Sequence, residues 1–182
     1  IRMMAQKNVP CAVLPQTKKG METLLSFGRD KETTRFRGEN IKNMIESGVT
    51  FLLSTDAGIF DHDIISKIPQ LSGLTEQQTK ELDLLTLLGE GHIVWFKAMS
   101  QYGMKPMDIL MAATSNIAKA YKVDKDLGTL GKGKIADLII LDKNPLKSYK
   151  NYRSIEMIIK DGKIIDRETL PTDPALMLND KN

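Results

Sequence analysis

Between Glu39 and Gly58 the sequence runs helix, glycine, strand, carboxylate, an order that restricts the fold to architectures built from αβ steps. Ile41, Met44 and Ile45 recur at three and four residues, the spacing of one helix face, and Gly48 takes the position past a helix end that favours glycine. Val49 to Leu53 follows as a short apolar strand and breaks into Ser54-Thr55-Asp56-Ala57-Gly58. A carboxylate is thereby offered where a strand ends and its loop begins. In a barrel of parallel strands such ends converge on one mouth, where an aspartate can ligate a metal or take a proton from water. Aspartate before a small residue and glycine is also an ordinary turn former, so the residues alone leave both readings open.

The 182 residues, 41% hydrophobic and 27% charged, suit one globular domain of ordinary size, or one piece with a small appendage. No stretch approaches the ~20 apolar residues of a spanning helix, so no membrane role is expected. The N-terminus lacks the order of a signal peptide, and a cytoplasmic location is expected. A net charge of +3, spread over scattered lysines and arginines with few aromatics among them, argues against a nucleic-acid surface. The single cysteine, Cys11, cannot form an internal disulfide and reads as a buried thiol beside Ala12, Val13 and Leu14. His62 and His92 stand far apart, and no His-x-His, His-Glu-x-x-His or cysteine cluster supplies a zinc site by local spacing.

Ile1 to Lys7 reads as the tail of a helix without a start signal, and Val9 to Leu14 as a strand bracketed by Pro10 and Pro15. Gln16 to Arg37 reads as a long polar stretch with one or two amphipathic turns at Met21, Leu24, Leu25 and Phe27. Past Asp56 come a loop and a short helical piece around Ile64 to Ile68. A capping box at Thr75-Glu76-Gln77-Gln78 then starts a long helix through Leu82, Leu85, Leu88, Ile93, Phe96 and Met99, with breaks allowed at Gly89 and Gly91. Gly103 ends it. Pro106 opens a second helix carrying Ile109, Leu110, Ala113, Ile117 and Ala120, with Met104, Met107 and Met111 as core filler. The period changes near Lys122. Leu127 to Lys134 is glycine-rich but runs into the strand Ile135 to Asp142 instead of a helix, which disfavours a phosphate cradle. Asp161-Gly162 is a two-residue hairpin signal, and Pro171 onward is a polar tail.

Ser54-Thr55-Asp56-Ala57-Gly58, the helical stretch Met107 to Ala118, Gly128-Thr129-Leu130 through Asp142, and Ile158 to Gly162 occur in an order that resembles the C-terminal portion of a metal-dependent amidohydrolase. Within that superfamily the chain is most similar to the imidazolonepropionase-like and prolidase-like branch. The resemblance implies an α/β fold: the last strands and helices of a (β/α)8 TIM-type barrel, residues 1–122, with Val9 to Leu14 as seventh strand. A small antiparallel β unit of a composite β-sandwich, residues 123–168, and a polar tail, residues 169–182, would follow. It implies that Asp56 ends the eighth strand as catalytic residue and metal ligand, with a divalent metal, zinc by preference, in the complete enzyme. Thr55 would orient Asp56, and His62 would stand near the substrate, although a surface histidine is the commoner case. The histidines of the family's earlier strands have no counterpart here. The expected activity is hydrolysis of a C–N bond in a small-molecule amide, cyclic amide or dipeptide, with this chain inactive alone. The alternative is a non-catalytic remnant or subunit that pairs with another chain in a structural or interaction role; under either reading the partners expected are a second copy or a missing N-terminal half.

Overall fold

Two parallel strands joined by a helical crossover position everything near Asp56. The computed structural model describes residues 1–26, 28–57, 67, 72–73, 75, 78, 81–86 and 89–166. Helix α1 (Arg2–Gln6) leads into β1 (Cys11–Ala12), and β2 (Phe51–Leu52) pairs parallel to it, Cys11 opposite Phe51 and Ala12 opposite Leu52. Parallel neighbours need a crossover, here α2 (Lys18–Ser26) and α3 (Lys31–Glu46). Both strands are shorter than the apolar runs that announce them.

The polar stretch Gln16 to Arg37 is mostly helical, more than the one or two amphipathic turns expected. α3 begins eight residues before Glu39, at Lys31, because the Asp30 carboxylate accepts the Thr33 amide at 2.6 Å and caps it. The start signal, an aspartate ahead of the helix, was present in the sequence. The long helix also divides. Thr75 and Gln78 exchange capping-box bonds of 2.8 and 3.2 Å, but Glu81 to Thr86 turns away through Asp83 at φ 56°. A separate helix, α4, spans Gly91–Gln101. Likewise Pro106 opens α5 (Pro106–Ala112), which breaks at Thr114 before α6 (Ser115–Ala120), so the expected stripe lies on two short helices. The piece around Ile64 to Ile68 falls outside the described residues.

The core gathers round α4, whose Ile93, Val94, Trp95, Phe96, Ala98 and Met99 are all buried. Against them pack Ile41, Val49, Phe51, Leu85, Met104, Ile109 and Ala112. Of the three methionines expected as filler only Met104 is buried; Met107 and Met111 are exposed. Cys11 is half-buried rather than buried. No helix among the described residues is long and apolar enough to cross a membrane.

A second sheet is antiparallel, in the order β3 (Leu138–Leu141), β4 (Ile155–Lys160), β5 (Lys163–Ile164), with a 3-10 turn at Tyr149–Arg153. Asp161 and Gly162 form the β4–β5 turn with φ 49° and 75°, the left-handed pair that a tight hairpin requires. The glycine-rich stretch serves packing. Gly128 sits at φ 85°, where an added Cβ would lie 2.4 Å from the Ala118 Cβ, and Lys134 Nζ donates to the Asp124 carbonyl at 2.5 Å.

Phe51→Ala removes a ring that is 2% exposed and should cost about 3–5 kcal/mol in urea unfolding. A second outcome concerns pH. Asp137 accepts the Asp161 amide at 2.8 Å and the Lys160 ammonium at 2.6 Å. The amide bond, then the lysine, hold its carboxyl below the ordinary value against the opposing effect of burial. Its folded-state value being depressed, the stabilisation is present above the unfolded value, about 3.9, and is lost as pH falls through the folded one. The stability advantage over Asp137→Asn should therefore be constant near neutrality and vanish on acidification, as read from urea midpoints.

Candidate functional site

The strand β2 is released into its loop by a change of hydrogen-bond partner. Leu53 N–H donates to the Ala112 carbonyl at 3.0 Å and Asn116 Nδ2 donates to the Phe51 carbonyl at 3.2 Å, so helices α5 and α6 take the strand's polar groups. Ser54 and Thr55 are then half-buried, and Asp56 is exposed at φ 52°. Aspartate tolerates this left-handed conformation better than most side chains. The Thr55 hydroxyl accepts the Ala57 amide at 3.1 Å and so holds the turn round Asp56. Among the described residues no hydrogen bond or ion pair involves the Asp56 carboxylate. The loop is shaped by its neighbours, and Asp56 is exposed on it.

The first residue of α4 wedges against that loop. A Cβ added to Gly91 would lie 2.1 Å from the Leu85 carbonyl oxygen, 2.9 Å from the Ala57 Cβ and 3.1 Å from the Thr55 Cβ. Only glycine lets the Leu85 backbone and the Asp56 loop meet there. Just upstream, Asp83 is buried with Thr17. Thr17 Oγ1 caps α2 by accepting the Gly20 amide at 2.9 Å and donates its proton to Asp83 Oδ2, also at 2.9 Å. Lys97 Nζ of α4 reaches the same oxygen at 2.5 Å. A buried carboxylate needs such partners, because an uncompensated one is strongly disfavoured.

The divalent metal implied by the resemblance can be tested against these donors. Among the described residues no three His, Cys, Asp or Glu side chains come together, and one carboxylate at one strand end does not make a metal site. His62 lies outside the described residues. His92 is a surface residue of α4 whose ring meets Phe96 edge-on at 6.1 Å. Desolvation lowers its pKa most, Glu90 raises it and Arg153 lowers it. Thr17, Asp83 and Lys97 are absent from the candidates drawn from sequence. The signal that marks them is Lys97 itself, a lysine inside the otherwise apolar run Ile93 to Met99, where a charge requires a partner.

Residues 1–165 match the amidohydrolase family. The chain is 25% identical over 158 residues to adenine deaminase 1 of Desulfotalea psychrophila, covering 86% of this chain and 22% of that one. It is 26% identical over 168 residues to imidazolonepropionase of a Geobacillus species, covering 91% of this chain and 31% of that one. Among solved structures, molinate hydrolase superposes with a TM-score of 0.82 at 32% identity, covering 98% of this chain and 37% of that one. The chain thus spans between about a fifth and two fifths of these proteins' lengths. A match over nearly every residue up to the end of the antiparallel sheet, with the Asp56 loop and Gly91 inside it, places this chain in the amidohydrolase family.

Proposed function

We propose that this chain is the Asp56-bearing portion of a hydrolase that cleaves a C–N bond in a small amide, cyclic amide or dipeptide. Under this reading β1 and β2 are the last two strands of a (β/α)8 barrel, and the β3–β4–β5 sheet is part of a composite β-sandwich. The observation that carries it is an exposed carboxylate, without a partner among the described residues, on a loop set by the Thr55–Ala57 bond and the Gly91 wedge. A carboxylate so placed can accept a proton from an attacking water and pass it to the departing nitrogen, which leaves as a neutral amine. Thr55 contributes by fixing the turn. Any divalent metal takes its remaining ligands from outside the described residues. The relatives named above act on different nitrogen compounds, so the substrate class stays broad.

In the full-length protein, Asp56→Asn should lower kcat by roughly a thousandfold on a panel of amides, cyclic amides and dipeptides, with the circular dichroism spectrum unchanged. Retention of turnover by that variant sinks the assignment. The 182-residue chain alone, supplied with zinc, should turn over none of the panel, and activity there overturns the expectation that it is inactive by itself.

A further inference from the structure

We propose that Asp83 is a positioning residue that fixes the loop bearing Asp56, acting through Leu85 and its contact with Gly91. The inference rests on the proposed role of Asp56. Asp83 is 8% exposed and Thr17, its hydrogen-bond donor, is wholly buried. Thr17 stands between β1 and α2, so its bond to Asp83 Oδ2 at 2.9 Å ties the loop after the first parallel strand to the segment before α4. Lys97 Nζ, on the same oxygen at 2.5 Å, ties that segment to the body of α4. The backbone is engaged as well: Gly20 approaches so closely that an added Cβ would lie 3.1 Å from the Asp83 carbonyl oxygen.

Two residues on, Leu85 is buried in the core, and its carbonyl faces the bare Cα of Gly91. The same Cα is where Thr55 and Ala57 rest, one on each side of Asp56. The anchored segment is therefore a strut between the two strand-end loops. A shift of its start is passed by hard contact, through Leu85 and Gly91, to the residues flanking Asp56. Packed interiors transmit such shifts because they hold few voids. Asp83 also sits at φ 56°, a conformation the backbone holds only where its surroundings fix it.

Two-dimensional amide spectra of this chain test the link. Asp83→Asn should move the Thr55, Asp56 and Ala57 resonances while those of β4 stay in place. Thr17→Val should reproduce the movement, and Thr17→Ser, which keeps the hydroxyl, should restore the original positions. Thr17→Val removes one methyl-sized polar group, so it reads the link if Asp83→Asn does not fold. In the full-length protein the Asp83→Asn change should lower kcat by roughly a hundredfold with KM little changed. Unmoved Thr55 to Ala57 resonances in a folded variant overturn the inference, whatever Asp56→Asn does to turnover. Turnover surviving Asp56→Asn overturns the hydrolase reading instead, whatever the spectra show.

Discussion

The indole of Trp95 donates its N–H to the Val13 carbonyl at 3.1 Å from a side chain with no solvent exposure, and the rest of the fold is arranged so that this is possible. A helix that is apolar on nearly every side has to be wrapped by other elements. For α4 the wrapping comes from β1 and β2, from α3 through Ile41, and from α5 through Ile109 and Ala112. Burying each large side chain of such a helix contributes about 1.5–3 kcal/mol, so α4 is the largest single contributor to this core. The Trp95 bond adds direction to that burial, because it satisfies a carbonyl just past the end of β1 that would otherwise be lost to water. Tyr102, just past the helix, does the same for the Gln16 carbonyl at 3.1 Å.

Two residues of α4 lie toward the candidate site. Gly91 begins the helix against the Asp56 loop, and Lys97 interrupts its apolar run to meet Asp83. The left-handed aspartates divide the labour. Asp161 sits in a turn that demands its conformation, and Asp83 has its carboxylate engaged by a hydroxyl and an ammonium. Asp56 has neither reason among the described residues, since Thr55 supplies the hydrogen bond that holds its turn.

What could be read in the sequence was whatever depended on near neighbours. The Asp161-Gly162 hairpin, Pro106 at the start of a helix, Gly103 after one and the Thr75–Gln78 capping box are all fixed within a few residues, and all appear in the structure. The divided helices were harder. Periodicity carries across Asp83 and across Thr114, with Leu85 buried past the first and Ala118 past the second, yet the backbone turns at both places. The link from Asp83 through Leu85 to Gly91 could not be read at all. Its contacts join Thr17 to a residue 66 positions away, and nothing local states that Gly91 is needed for a neighbour's carbonyl rather than for a turn. Lys97 in an apolar run was the one visible trace of it.

The shortness of β2 follows from the same geometry and bears on where the candidate site can lie. A strand continues while its amides and carbonyls find a neighbouring strand; here the Leu53 amide goes to Ala112 and the Phe51 carbonyl accepts from Asn116. Once helix groups fill those positions, the ladder cannot extend, and the next residues are free of strand geometry. Thr55 can then use its hydroxyl on the Ala57 amide, and Asp56 can adopt a left-handed conformation that a paired strand would forbid. The helix that ends the strand thus also fixes how far beyond it the carboxylate stands. Were β2 four residues longer, the alternation of faces along a strand would carry Thr55 and Asp56 onto opposite sides of the sheet. The packing of α5 and α6 is therefore as much a condition for the loop as the residues in it.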